Sequence, residues 1–163
     1  LAQLPNGSSK FINTPGNTNT KGAETNIKLG YDKFSVYLGY TFIDAKNNNA
    51  GVLTQNPLTP KHRVNAALVY DIEDKWRFGS ELYYFDKQLR NDGTIGRHYF
   101  LTGLVAERFW KKVSVYINFE NFGDVRQTKF ESIYTGTVTN PVFKDIYAPL
   151  EGFVVNGGFK FKF

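Results

Sequence analysis

The sequence has no cysteine, which excludes disulfide frameworks, thiol catalysis and thiolate zinc sites. It also lacks a long apolar run: the longest, 66–70, is five residues, whereas a membrane-spanning helix needs about 20. The only two histidines, His62 and His98, have no metal-binding spacing, and no glycine-rich phosphate-binding motif occurs. The sequence therefore predicts no helical membrane span, no metal site and no cofactor.

Aromatic residues are abundant and make up 17% of the 163 positions. Mean hydropathy is nevertheless slightly negative, at −0.39, because the rings are diluted among Asn, Thr, Lys and Gly. Disordered chains lack aromatic residues, so this composition predicts a folded chain, and the length suits one domain. Lys and Arg outnumber Asp and Glu by 20 to 15, which gives a formal charge of +5.

Apolar and polar residues alternate with a period of two along most of the chain, which is typical of half-buried β-strands. The last segment is the clearest, with Phe159 and Phe161 on either side of Lys160. We count seven strands and no helix, the first strand covering 25–31. Only 97–110 is ambiguous, because both sets of alternate positions there are apolar. The predicted fold class is therefore all-β.

The connections between these strands alternate in length. The tight turns lie at 31–34, 72–75 and 109–112, and the long loops at 44–61, 86–97 and 122–148. Short turns on one side of a sheet and long loops on the other are typical of an outer-membrane barrel, with the turns in the periplasm. Strands of the alternative, a soluble sandwich, are usually about 5–6 residues long. We therefore predict an antiparallel transmembrane β-barrel segment with short periplasmic turns and long extracellular loops.

The alternation also predicts which way the side chains face. Residues expected to face lipid are Val36, Leu38, Leu68, Val115, Ile117, Val155 and Phe159. Residues expected to face the lumen are Lys28, Asn65, Arg77, Glu81, Tyr116, Asn118, Glu120 and Lys160. Aromatic residues such as Trp76 and Trp110 lie near the short turns, where rings with a polar edge settle at the headgroup boundary.

The final eight residues match the C-terminal assembly signal of bacterial outer-membrane proteins. The matching positions are Asn156, Gly158, Phe161 and Phe163. A terminal strand with an aromatic face and unpaired backbone groups is a good template for strand addition at an open sheet edge. This pattern predicts recognition by the barrel-assembly machinery.

Several short motifs stand in a fixed order around the predicted strands. They are FINTPG at 11–16 with KGAE at 21–24, TPKHR at 59–63, NFGDVR at 121–126 and APLEG at 148–152. With these motifs the chain resembles the C-terminal barrel portion of TonB-dependent receptors, especially those of Bacteroidetes-type bacteria. The resemblance implies a barrel of about 22 strands in the bacterial outer membrane. It also implies an N-terminal plug, contact with TonB, and active uptake of a scarce ligand such as a ferric siderophore, another metal chelate or a nutrient.

Strand direction indicates part of a larger barrel. If the tight turns are periplasmic, the first strand descends from outside, and 1–20 is the end of an extracellular loop. A complete small barrel has an even number of strands and both termini in the periplasm. We therefore expect 1–163 to be the C-terminal segment of a receptor barrel, with the plug domain and the TonB-contacting part absent from it.

Two other functions compete with this interpretation. A small self-contained barrel with a structural or adhesive role would need an eighth strand within 8–14, a stretch that Asn13 and Pro15 interrupt. An outer-membrane hydrolase would need an acid/base pair such as Glu81 and Glu120. We favour a hydrated lumen wall, in which these glutamates join Arg77 and Lys160 in a charge network, and we expect no enzyme activity.

Basic residues near the outer strand ends are candidates for binding an extracellular ligand or the phosphates of lipopolysaccharide. These are Arg63, Arg90, Arg97, Arg126 and Lys129. Nucleic acid is not expected, since the aromatic residues alternate onto the face opposite to cations such as Lys28 and Arg77. The expected partners are therefore outer-membrane lipid and lipopolysaccharide, the barrel-assembly machinery, TonB and a transported small molecule.

Overall fold

The computed structural model describes residues 2–3, 5, 8–11, 16–49 and 51–162. Its strands are β1 (Ala2–Gln3), β2 (Ser9–Lys10), β3 (Asn17–Tyr31), β4 (Phe34–Asn49), β5 (Val52–Gln55), β6 (His62–Ile72), β7 (Trp76–Phe85), β8 (Tyr99–Phe109), β9 (Val113–Glu120), β10 (Tyr134–Thr137), β11 (Asn140–Phe143) and β12 (Val154–Phe161). One helical turn, α1 (Gln127–Phe130), lies between β9 and β10. In these ranges no helix has the length and apolar character to cross a membrane.

Seven long strands form one antiparallel sheet in the order β3-β4-β6-β7-β8-β9-β12, and β5 pairs with the outer part of β4. Each strand lies beside its neighbour along the chain, apart from the short insertions. Over the described residues the sheet stays open, with β3 and β12 at its two edges. The predicted all-β, antiparallel fold with seven principal strands is therefore confirmed.

The tight turns after β3, β6 and β8 all lie at one end of the sheet, as predicted. Asp32 and Asp74 occupy two of them with positive φ angles of 49° and 53°. Asp tolerates this left-handed region better than most residues, because its short side chain can hydrogen-bond to the nearby backbone. The opposite end carries the long connections.

Strands β3 and β4 are longer than predicted. β3 begins at Asn17 rather than near 25, so that 17–20 belongs to a strand, and residues 44–49 and 52–55 of the predicted loop are also in strands. A strand of 15 residues rises about 50 Å, or about 38 Å when tilted by about 40°, whereas the apolar band is about 25 Å tall. The β3–β4 hairpin therefore projects beyond the band at the long-loop end.

Cross-strand pairing decides which side chains share a face, because directly opposite residues point to the same side. One row runs through Leu68, Ser80, Leu104, Phe119 and Val155. We term the side of the sheet that carries this row the apolar face, and the opposite side the polar face. All the residues predicted to face lipid lie on the apolar face, and all those predicted to face the lumen lie on the polar face.

Pairing also resolves the ambiguous segment 97–110. Phe100 and Leu104 lie opposite Tyr84 and Ser80 on the apolar face. Tyr99 and its alternates, which were equally apolar in sequence, lie on the polar face. Packing that the sequence did not reveal accounts for two of them: Tyr99 is buried in a cluster with Tyr147 and Ala148 of a distant loop, and Leu101 packs against this cluster.

Candidate functional site

Two long connections meet over the polar face at the long-loop end, and we term them together the rim cluster. They are 86–98, between β7 and β8, and 121–153, between β9 and β12. Tyr147 lies at the centre: the Tyr99 hydroxyl donates to its carbonyl oxygen at 3.0 Å. The Arg97 amide donates to the Tyr147 hydroxyl, also at 3.0 Å. The second connection is therefore attached to the sheet instead of extending away from it.

Gln127 anchors the same connection from within. Its side chain is fully buried, and its Oε1 accepts from the amides of Tyr147 and Ala148 at 2.9 and 3.2 Å. Its Nε2 donates to the Asp145 carbonyl at 2.8 Å, and its own amide donates to that of Pro149. These bonds hold the single turn of α1, which the alternation in the sequence did not predict. No spacing signals this role, because every partner is 18 or more positions away.

Arg90 is part of the packing of the rim cluster. Only 8% of its side chain is exposed, its Nη1 lies 2.8 Å from Glu131 Oε2, and its guanidinium carbon lies 5.5 Å from the centre of the Tyr147 ring. Burial disfavours the charge, but the hydrogen bond and charge of Glu131 outweigh it and raise the pKa of Arg90. This burial differs from the accessible cation that we expected for binding a ligand or lipopolysaccharide.

Asp124 gathers two further predicted cations. Its carboxylate accepts from Arg126 Nη2 at 3.1 Å and from Lys129 Nζ at 2.5 Å, while its other oxygen accepts from the Phe153 amide at 3.2 Å. The hydrogen bond from Lys129, opposed by partial burial and reinforced by Phe153 and Arg126, lowers the pKa of Asp124. Both cations are thus partly neutralised by one carboxylate.

The remaining two predicted cations differ from these three. Arg63 lies exposed on β6, on the polar face, opposite Thr41 and Phe85. The guanidinium carbon of Arg97 lies 5.9 Å from the centre of the Phe130 ring. Within the described part of the chain, neither has a carboxylate oxygen within 4 Å. Their positive charge is therefore the more available at the rim.

Two ion pairs lie on the polar face, between the rim cluster and the short turns. Arg77 Nη2 lies 2.5 Å from Asp71, and Lys160 Nζ lies 3.1 Å from Glu107, which also accepts from the Ser114 hydroxyl at 2.7 Å. A charge network around Arg77 and Lys160 is present, but its acids are not the two glutamates that we predicted. Glu107 was missed because it lies in the segment whose facing was ambiguous.

Glu81 and Glu120 are held by neutral side chains. The Tyr83 hydroxyl donates to Glu81 at 2.9 Å, and the amides of Asn118 and Asn156 donate to Glu120 at 2.9 and 2.7 Å. Both carboxylates lie on the polar face, on strands separated by β8. This arrangement forms a polar, hydrogen-bonded wall.

Three of the four assembly-signal residues lie on β12: Asn156, Gly158 and Phe161. Phe163 lies outside the described residues. β12 pairs with β9 on one side and forms a sheet edge over the described residues. An edge strand is what strand addition requires, and its use as an assembly signal stays a prediction.

The sheet consists of long antiparallel strands and has one apolar and one polar face. Short turns lie at one end and folded loops at the other. These features define the class of outer-membrane β-barrel proteins. Within that class, a family model described as "TonB dependent receptor-like, beta-barrel" matches residues 1–122. The chain therefore belongs to the family of TonB-dependent receptor-like β-barrels. None of the curated proteins compared with the chain matches it.

Family membership has direct consequences for location and role. It places the chain in the bacterial outer membrane and assigns it to receptor and transport proteins, a family that is not enzymatic. It also implies interaction with TonB and with a transported ligand. The narrower resemblance to Bacteroidetes-type receptors stays a prediction.

Proposed function

We propose that this chain forms the C-terminal part of a receptor barrel that actively takes up a scarce ligand, such as a ferric siderophore, another metal chelate or a nutrient. The main observation that supports this proposal is the rim cluster, in which long loops are anchored onto the polar face at the outer end of the sheet. The open sheet edges at β3 and β12 support a place in a larger barrel. Plug and TonB contact would come from other parts of the receptor.

Available positive charge at the rim favours an anionic ligand. Arg63 and Arg97 lie near the outer end of the polar face, whereas Arg90, Arg126 and Lys129 are paired with carboxylates. A cleft lined by one sign of charge raises association rates by about 10–10³-fold. In this proposal the two available arginines attract the ligand, and the paired cations keep the loops folded.

Uptake of labelled ligands tests the proposal. Cells that make the receptor and cells that lack it would be given radioactive iron on hydroxamate, catecholate or citrate chelators, with labelled cobalamin and an oligosaccharide in parallel arms. We expect one of the labels to accumulate in cells with the receptor and not in cells that lack it. This accumulation should be lost when a protonophore collapses the proton gradient. Equal accumulation of every label in both cell types would contradict active uptake by this receptor.

A further inference from the structure

Arg108 is a charged residue on the apolar face. It lies near the short-turn end of β8, opposite Trp76 on β7 and Val115 on β9. A cation on the lipid side of a barrel is costly at the bilayer midplane and nearly free of cost near the interface. Arg108 is therefore placed at the height of the headgroups on the periplasmic side.

Two tryptophans bracket this arginine. Its guanidinium carbon lies 5.1 Å from the centre of the Trp76 ring and 5.5 Å from that of Trp110. Its Nη1 donates to the Lys75 carbonyl oxygen at 3.2 Å. These two residues are the only tryptophans in the sequence. Both are exposed, Trp76 by 37% and Trp110 by 50%. Trp is the best cation–π partner and settles at membrane interfaces, so the three side chains form one oriented group.

Arg77, at the same height on the polar face, provides the contrast. Its Nε and Nη2 both donate to Asp71. For Arg108, by comparison, no carboxylate oxygen of the described residues lies within 4 Å. A guanidinium carries five N–H donors, and the bond to Lys75 uses one of them. The arginine on the apolar face therefore holds donors and a charge for which the described residues supply no anion.

The nearby acidic turn does not supply that anion. Glu73 and Asp74 line a cleft together with Asp71 and Arg77, on the polar face. Lys75 and Lys111, in the two turns next to Arg108, add positive charge at this end of the barrel. With these carboxylates lining the cleft on the polar face, a negative group that pairs with Arg108 would come from outside the described residues.

We propose that Arg108, between Trp76 and Trp110, binds the phosphate of an anionic phospholipid headgroup in the periplasmic leaflet. A guanidinium fork matches two phosphate oxygens in a way that a lysine ammonium cannot. The apolar face beside it accommodates the acyl chains. This site is at the opposite end of the barrel from the outer cations, and it is independent of which ligand the receptor takes up.

Native mass spectrometry of the detergent-extracted receptor tests this site. The protein would be incubated with phosphatidylglycerol or with phosphatidylcholine, and lipid adducts counted per intact protein molecule. We expect several-fold more phosphatidylglycerol than phosphatidylcholine on the unaltered protein. Arg108→Gln should reduce the phosphatidylglycerol adducts to the phosphatidylcholine level, and Arg108→Lys should retain part of them. Because adducts are counted per intact molecule, a lower yield of a variant does not change the ratio.

Arg77→Gln is the matched control, since it removes an arginine at the same height from the other face. It should bind phosphatidylglycerol like the unaltered protein. Inorganic phosphate, which lacks acyl chains, should not displace the lipid at equal concentration. Unchanged binding by Arg108→Gln, an equal loss in Arg77→Gln, or displacement by inorganic phosphate would each overturn the proposal.

Discussion

Gly158 lies opposite Tyr116 on the polar face, and the tyrosine side chain covers the space that a side chain at 158 would occupy. A Cβ atom there would lie 2.9 Å from the Tyr116 hydroxyl oxygen and 3.1 Å from its ring. Gly103 has the same relation to Glu81, whose Oε1 would lie 2.6 Å from an added Cβ. Glycine within a strand thus lets a long polar neighbour lie flat along the wall.

Adjacent residues of β8 test the facing of the sheet. Leu104→Arg puts a charge on the apolar face near the middle of the strand and should cost about 2–4 kcal/mol of folding free energy. Val105→Arg puts the same charge on the polar face, opposite Gly79 and Asn118, and should cost much less. Urea unfolding of the receptor in lipid bilayers measures both. Equal costs would contradict the assigned faces.

Asp124 predicts a pH dependence for the rim cluster. Because its folded-state pKa is lowered, its contribution to stability is fully present above the ordinary Asp pKa of about 3.9 and is lost as pH falls through the lowered value. We expect the Phe153 amide, which donates to Asp124, to lose hydrogen-exchange protection over that acidic range. Rates would be corrected for the intrinsic pH effect. Asp124→Asn should show no such transition, and a transition that persists in this variant would assign the effect to another group.

At the scale of elements, sheet and rim cluster are built differently. The strands are held by backbone ladders, whereas the 121–153 connection is held by a few buried side chains that reach backbone groups far along the chain. The β10–β11 hairpin extends from this connection and is exposed throughout. Folding of the rim therefore depends on single residues more than folding of the sheet does.

Gln127→Ala tests that dependence. The change leaves the buried amides of Tyr147 and Ala148 and the Asp145 carbonyl without their partners, and each unsatisfied buried group costs about 1–3 kcal/mol. We expect faster hydrogen exchange at Tyr147 and faster proteolysis within 128–148, with the sheet intact. Thr128→Ala, at the exposed neighbouring position, is the control. Matching proteolysis rates in the two variants would contradict the anchoring role.

At the scale of the whole molecule, the open edges of the sheet are its most consequential feature. Within the described residues β12 has one unpaired side, and Phe159 and Phe161 form an edge-to-face pair beside it, 5.3 Å apart, on the apolar face. An exposed edge of this kind is normally a hazard that invites pairing with another strand. In a membrane barrel it is the site at which the wall is completed.

Replacing Phe161 and Phe163 by Asp should prevent insertion of the receptor into the outer membrane, because the change removes the apolar side of the predicted assembly signal. Immunoblots of separated outer membranes would measure the inserted receptor. The matched change, Lys160→Gln with Lys162→Gln, alters alternate positions and should leave most of the receptor inserted. Normal insertion of the double Asp variant would refute the assembly-signal interpretation.

How far the sequence predicts the structure depends on what lies beside each residue. Where one face of a strand meets an apolar medium and the other meets water, alternation appears, as it does from Phe34 to Phe42. The outer half of β3 and the short β5 have no such contrast, and their pairing was missed. The role of Gln127 was missed for a different reason, since its partners are brought to it only by the folded loop.

The sequence by itself determined the class of fold, the strand order and the facing of nearly every strand, because a barrel wall between two media imposes a period of two on the residues. Tertiary structure alone decided which cations are exposed and which are buried in ion pairs: Arg90 and Arg63 look equivalent in sequence, yet Arg90 is buried against Glu131 and Arg63 is exposed. It also decided the facing of β8 and the environment of Arg108. These features depend on contacts between strands and loops far apart in the chain, which no local pattern records.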